Sequence, residues 1–80
     1  MTEEIALIQG IGFGYRDANE PCLWFELWSL HHRGFRCLIG EDINHFLKVA
    51  DVYNINELEG TTCVIEANSD GIVEFKRRWP

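Results

Sequence analysis

This 80-residue chain lacks the sequence features that most directly indicate a function. It has no glycine-rich phosphate loop that opens a helix and no paired cysteine and histidine ligands of a structural zinc site. Its longest apolar run falls far short of the roughly 20 residues that a membrane span needs. We therefore expect no cofactor, no metal and no membrane contact, and the sequence does not favour an enzyme.

Cysteine is scarce and odd in number, with Cys22, Cys37 and Cys63 each inside an apolar run. Such a set is no disulfide framework, so we expect three buried, reduced thiols and a reducing compartment. The start, Met1-Thr2-Glu3-Glu4, is acidic where a signal peptide is basic. Both observations predict a cytoplasmic protein.

Positively charged residues are also scarce. The chain has seven Lys and Arg against 13 Asp and Glu, which gives a formal net charge of −6. A chain of that charge repels phosphate at long range, so we expect no direct nucleic-acid binding. The end, Lys76-Arg77-Arg78-Trp79, combines cations with a ring as nucleic-acid-binding proteins do. Cations are equally common on exposed edge strands, and we favour that interpretation.

What the chain does contain is apolar and aromatic residues, which make up 46% and 12% of it. This composition excludes a disordered chain and suffices for a thin core, so residues 1–80 are predicted to form one domain. The hydrophobic patterns predict an α+β fold with about five antiparallel strands and one helix, in the order β-β-β-α-β-β. The predicted strands cover 5–8, 22–30, 35–39, 61–67 and 72–79, and the helix covers 42–52 with Asp42 as its N-cap.

Two architectures fit this order. The simplest is a single sheet with the helix on one face; the other is a curled, barrel-like sheet bent at Gly10, Gly12 and Gly14. In the last strand, simple alternation predicts Val73 and Phe75 on one face and Ile72 on the other.

The second predicted strand is apolar on both faces. Leu23, Phe25 and Leu27 share one face, while Trp24, Trp28 and Leu30 share the other. Such a strand is either covered on both sides or presents its tryptophans to a partner. A symmetric homodimer is one way to cover that face.

Three sequence features resemble chemical sites. The run Gly10-Ile11-Gly12-Phe13-Gly14 has the wrong spacing for a dinucleotide fingerprint and precedes no helix, so a bent strand is favoured over a ligand loop. His31 and His32 lie near Cys37, but they lack the second ligand pair of a zinc site. Nothing selects one Cys-His pair as a nucleophile and base.

Acidic residues concentrate between positions 41 and 59, in Glu41, Asp42, Asp51, Glu57 and Glu59, with Lys48 as the one cation. This segment is either an ordinary solvated helix surface or a patch for a basic partner, including a nucleic-acid-binding protein. The candidate partner-binding residues are these five carboxylates, together with Trp24 and Trp28 if one sheet face is exposed.

Four features of the chain resemble small conserved proteins of tailed phages and prophages. They are the run Gly12-Phe13-Gly14, the hairpin that follows it, the helix after Gly40, and the run Leu58-Glu59-Gly60-Thr61-Thr62-Cys63-Val64-Ile65. Such proteins carry a glycine-aromatic segment, a hairpin, a helix and a Leu-x-Gly step into a strand. Many of them have no assigned activity, and those with one often inhibit a host defence protein by binding it. The resemblance implies a location in the host cytoplasm and assigns no functional residue.

Three functions follow as hypotheses. The first is a non-enzymatic binding protein, here a phage-encoded inhibitor of a host defence protein that acts through its acidic helix surface. The second is a homo-oligomer that binds a small molecule or nucleotide through residues 10–15, Arg16 and His31 or His32. The third is a small enzyme, which needs a convergent polar pocket.

Overall fold

The computed structural model of the chain describes residues 2–15, 17 and 19–79. In them, five antiparallel strands form one sheet in the order β3-β2-β1-β4-β5. The sheet curls into a half-barrel, which confirms the α+β class, the element order and the curled architecture. The elements are β1 (Thr2–Tyr15), β2 (Pro21–Ser29), β3 (Arg33–Ile39), α1 (Glu41–Ala50), a short 3-10 helix (Ile55–Leu58), β4 (Thr62–Asn68) and β5 (Gly71–Trp79).

The long strand β1 joins the two halves of the sheet. Its residues 2–7 pair with β4 and its residues 6–15 pair with β2. Between Gln9 and Gly12 the register with β2 shifts, and Gly10 adopts a φ of +67° in this bulge. A bulge increases local twist, so β1 bends at this point and turns the sheet toward a barrel. The predicted first strand, 5–8, covered only the part that precedes the bulge.

The core lies on the concave face of the sheet, where α1 packs. Phe46 of α1 stacks on Phe25 at 4.7 Å between ring centroids and meets Phe75 edge-on at 4.9 Å. Leu58 of the 3-10 helix is fully buried in the same cluster. The buried core residues are Ala6, Ile8, Leu23, Phe25, Leu27, Phe46, Ala50, Leu58, Cys63 and Ile65.

Helix α1 differs from its predicted form at both ends. It begins at Glu41 after Gly40, whose φ is +56°, and no side chain caps it, so the prediction that Asp42 is the N-cap was wrong. Asp42 lies in the first turn instead, where a carboxylate interacts favourably with the helix dipole. Asp51 adopts the left-handed conformation, and its backbone N–H donates to the carbonyls of Leu47 and Lys48, which ends the helix before residue 52.

Strand β5 lies at the edge of the sheet, as the edge interpretation of its basic residues requires. Its register with β4 shifts twice, and each shift leaves one extra residue on β5, at Val73 and at Lys76. The first extra residue brings Ile72 and Phe75 to the concave face together, so the predicted alternation was wrong here. Bulges of this kind also blunt an edge strand against pairing with other chains.

Candidate binding surface

The convex face of the sheet is the side that points away from α1. The buried residues of α1 and the 3-10 helix pack into the concave core, so among the described residues neither helix covers this face. Strand pairing places the side chains of β1, β2 and β3 on it in rows. Its members on these three strands include Leu7, Gln9, Gly12, Gly14, Cys22, Trp24, Glu26, Trp28, Arg33, Phe35, Cys37 and Ile39.

Trp24 lies at the centre of the convex face, across the backbone of two glycines. It pairs with Gly12, and a Cβ built on Gly12 would overlap its indole ring. A Cβ on Gly14 would lie in ordinary contact with the same ring, at 3.5 Å. The glycines therefore form a seat for Trp24, which explains their alternation in the sequence without a ligand loop.

Trp28 is held by two charged neighbours on the same face. Its indole N–H donates to the Glu26 carboxylate at 2.6 Å. The guanidinium of Arg33, which pairs with Trp28 across β2 and β3, lies 4.0 Å from the ring centroid. A cation–π contact at an exposed site contributes about 0.5–1 kcal/mol. These two contacts fix the rotamer of a half-buried tryptophan.

Phe35 extends this aromatic surface to β3. It lies opposite Glu26, and 61% of its surface is exposed. Trp28, Arg33 and Phe35 line an open depression of about 330 Å³, together with Glu26 and Gly34. Two of the sequence-predicted site residues, Trp24 and Trp28, thus share one surface with an exposed phenylalanine that the sequence did not single out.

The five predicted carboxylates do not form one compact cluster. Asp42 and Asp51 lie at opposite ends of α1, about 13 Å apart along the helix axis. The Glu59 carboxylate accepts hydrogen bonds from the backbone N–H groups of Gly10 and Ile11, at 3.1 and 3.0 Å, and so completes the bulge of β1. Glu41 and Glu57 are exposed on α1 and the 3-10 helix. The acidic set is a charged surface around the helices, and one of its members has a structural role.

Ser29, His32 and Glu4 form a cluster that was not predicted from the sequence. Glu4 belongs to β1, which is far in the chain from the β2–β3 turn that holds Ser29 and His32. The Ser29 hydroxyl donates to the Glu4 carboxylate at 2.6 Å, and His32 Nδ1 lies 3.0 Å from the other carboxylate oxygen. The hydrogen bond from Ser29, and then that from His32, lower the pKa of Glu4 below its ordinary value of 4.5.

This cluster has the residue types of a catalytic triad, but its hydrogen bonds connect them in a different order. The carboxylate stands between the hydroxyl and the imidazole, whereas a nucleophilic serine must donate to the imidazole itself. The backbone N–H of His32 also donates to the Ser29 hydroxyl at 2.9 Å. The arrangement ties the β2–β3 turn to β1, and the serine hydroxyl donates to the carboxylate of Glu4 and not to the imidazole.

Cys22, Cys37 and Cys63 form no disulfide with one another, and two of them, Cys22 and Cys63, are buried as predicted. Cys37 is exposed, so the prediction of a third buried thiol was wrong. Its side chain lies on the convex face of the edge strand β3, whereas Cys22, on the same face, belongs to the inner strand β2. Burial raises the pKa of Cys63 to about 12, which makes it a poor nucleophile. Among residues 2–15, 17 and 19–79, no group of three or more His, Cys, Asp or Glu side chains is placed to hold a metal ion.

No protein-family model matches this chain, and no similar protein was found among curated sequences or solved structures. In the part of the chain that the structure describes, neither helix has the length and apolar character to cross a membrane. The function must therefore be inferred from the contacts within the structure. Arg16, which the second hypothesis invoked, lies outside the described residues.

Proposed function

We propose that this chain is a non-enzymatic protein-binding domain whose docking surface is the convex face around Trp24, Trp28 and Phe35. The observation that supports it best is the seat of Trp24 on Gly12 and Gly14. Because Gly12 and Gly14 of β1 have no side chains, the Trp24 ring can lie across the outside of the sheet. On a surface that no described helix covers, this arrangement suits recognition better than folding.

The residue types favour a protein partner. Tryptophan and arginine are enriched among the residues that dominate interface energies, and such residues contribute most when their rotamers are already fixed. Here Glu26 and Arg33 fix Trp28 before any partner arrives. Carboxylates on the same face, Glu26 among them, together with the net charge of −6, disfavour a polyanionic ligand.

The acidic surface of α1 takes a second place in this proposal. Its carboxylates would steer a basic partner and speed its association, while the aromatic residues supply most of the affinity. The resemblance to small phage proteins adds one specific version, in which the partner is a host defence protein that the chain inhibits by binding it.

A second candidate is a planar small molecule, such as a nucleotide base or a sugar ring, that stacks on Trp24. The strand order, with a helix between β3 and β4, resembles the partly open five-stranded barrel of the OB-fold. The faces of the second and third strands of that barrel bind oligonucleotides or oligosaccharides. Fold likeness alone assigns no function, so this candidate depends on the accessible part of the half-buried Trp24 ring. A flat thermal-shift panel of nucleotides and sugars would remove it.

Affinity capture with matched variants tests the protein-binding proposal. Three baits are compared: the wild-type chain, the variant Phe35→Glu, which places a charge on the β3 side of the aromatic surface, and the double variant Glu41→Gln/Asp42→Asn, which removes charge from α1. Circular dichroism establishes that each bait is folded. We expect the wild type and the α1 variant to retain the same stoichiometric partner from bacterial extract, and Phe35→Glu to lose it.

Two outcomes would contradict the proposal. If folded Phe35→Glu retains the partner and the α1 variant loses it, the acidic helix surface is the docking site. If no bait retains a stoichiometric partner, the protein-binding function itself is wrong.

A further inference from the structure

The convex face continues beyond its aromatic residues onto β4 and β5. Leu7 lies opposite Trp28 on β2 and, on its other side, opposite Thr62 of β4, which in turn lies opposite Trp79 of β5. Ile5 follows on the same face of β1, and Ile5 and Trp79 expose 50% and 45% of their surface. Neither described helix lies over them. An apolar strip therefore leads from the aromatic surface to the outer edge of the sheet.

Three carboxylates form a row beyond this strip, which we call the acidic row. Glu3 of β1 lies directly opposite Glu66 of β4, and Glu66 lies directly opposite Glu74 of β5. Arg77 Nη1 lies 3.9 Å from the Glu3 carboxylate, and about half of each of these two side chains is exposed. Glu66 and Glu74 have no hydrogen bond or ion pair with any described residue.

The acidic row lowers the stability of the sheet. Residues directly opposite each other on one face have Cβ atoms about 5 Å apart, and like charges at that spacing are destabilising. Glu66, in the centre, has such a neighbour on each side. The fold gains nothing from this arrangement, whereas a positive charge supplied from outside the chain would be attracted by all three carboxylates.

The convex face as a whole has the same preference for positive charge. Its paired positions carry two arginines and four carboxylates, namely Arg33, Arg77, Glu3, Glu26, Glu66 and Glu74. Two copies of the chain would repel each other at this face, and so would a polyanion. A basic partner instead gains from the opposite charge, both in selectivity and in association rate.

We propose that the partner of the convex face is a basic protein segment that places an apolar or aromatic side chain on the aromatic surface and a lysine or arginine over the acidic row. This inference rests on the protein-binding function proposed above and specifies the chemistry of the partner. Two strand spacings and four residue steps separate Trp28 from Glu66, or about 16 Å along the sheet. An extended segment of about five residues covers that distance.

Selection from a displayed library of random dodecapeptides tests the proposal without a known partner. The wild-type chain is the target, at physiological ionic strength, and the peptides it enriches are then titrated against folded variants. We expect the enriched peptides to combine an aromatic or large apolar residue with lysine or arginine. Glu66→Gln/Glu74→Gln should weaken their binding roughly two- to fivefold for each carboxylate. Glu41→Gln/Glu57→Gln removes the same charge from the helical surface and should bind them as the wild type does.

The alternative outcomes separate this inference from the proposed function. Equal effects of the two double variants, including no effect of either, would overturn the role of the acidic row. Enriched peptides that lack lysine and arginine but lose binding to Phe35→Glu would overturn this inference and leave the protein-binding function intact. If the library yields no binding peptide, both are wrong.

A stability measurement completes the test, because the premise is that the acidic row serves binding at the expense of the fold. Glu66→Gln removes both like-charge contacts of the row, so its midpoint of urea denaturation should rise, while that of Glu57→Gln should stay as in the wild type. A lower midpoint for Glu66→Gln would show that the carboxylate stabilises the sheet, and would overturn the premise.

Discussion

The concave and convex faces of the same sheet are built in different ways. On the concave face, Phe25 is 1% exposed and belongs to a continuous apolar cluster that α1 completes. On the convex face, the neighbouring Trp24 and Trp28 are fixed one at a time, by two glycines in one case and by Glu26 and Arg33 in the other. Within β2, residues that follow one another thus differ in what they do. The concave residues of β2 stabilise the fold, and the convex tryptophans are positioned by the strands around them.

Under the function that we propose, this difference would separate folding from recognition in an 80-residue domain. A concave cluster is stabilised by burial, which any apolar side chain of the right size supplies. The convex aromatic side chains depend on specific neighbours, because no described helix lies over them. Substitutions on the two faces should therefore have distinct effects on stability and on binding.

The largest expected difference in stability is between alanine substitutions of two phenylalanines on neighbouring strands. Phe25→Ala empties the stack with Phe46 and should cost about 3–5 kcal/mol of unfolding free energy. Phe35→Ala removes a ring that is 61% exposed, and its cost should stay within about 0.5 kcal/mol. Urea denaturation followed by circular dichroism measures both values.

If Phe25→Ala leaves too little folded protein to measure, Phe25→Leu keeps most of the volume and gives a smaller loss in the same direction. Similar losses for the substitutions at positions 25 and 35 would mean that the convex face also stabilises the fold, and the distinction between the faces would fail.

A smaller effect should follow from filling the seat of Trp24. Gly12→Ala places a methyl group in the indole and should cost about 1–3 kcal/mol, whereas Gly14→Ala adds only an ordinary contact and serves as the control. In Gly12→Ala/Trp24→Ala the overlap is gone, so the double variant should be more stable than the sum of the two single losses predicts. Strict additivity in the double-mutant cycle would show that the glycines do not seat the ring.

The smallest expected effect lies at the open end of the concave face, where Glu4 replaces apolar packing with hydrogen bonds to Ser29 and His32. The pKa of Glu4 is lowered in the folded state, so the unfolded state binds more protons in the acid range. The stability it contributes is present above the unfolded pKa and is lost as the pH falls through the folded pKa. Glu4→Gln should therefore flatten the decline in the denaturation midpoint as the pH falls below 4.5, the ordinary pKa of the group.

The exposed Glu57→Gln is the control for this pH dependence and should leave the slope as in the wild type. If Glu4→Gln declines as steeply as the wild type, the hydrogen bonds of Glu4 do not persist in solution.

The sequence predicted those parts of the fold that depend on local patterns. Alternation and helical spacing gave the element order, and the helical positions of Phe46 and Ala50 turned out to face the core. The face of Ile72 was predicted wrongly, because a one-residue bulge reverses alternation and leaves no mark in composition. The missing N-cap of α1 was a similar failure, since Gly40 supplies geometry where a side-chain cap was expected.

The candidate site was only partly predictable for a different reason. The two apolar faces of β2 were visible in its alternation, so Trp24 and Trp28 were named as candidates. Their neighbours Gly12 and Arg33 come from other strands, and only the sheet register brings them together. Glu59 shows the converse, because a residue chosen for its charge proved to complete the bulge of β1.

The most direct test of the account compares two exposed aromatic side chains on different surfaces against the captured partner. Phe35 lies on the convex face, and Tyr53 is fully exposed next to the end of α1. Isothermal titration calorimetry should show that Phe35→Ala weakens binding at least tenfold, as truncation of an interface anchor does, while Tyr53→Ala binds as the wild type. The reverse result, with Tyr53→Ala weakened and Phe35→Ala unchanged, would contradict the convex-face site and move it to the helical end of the domain.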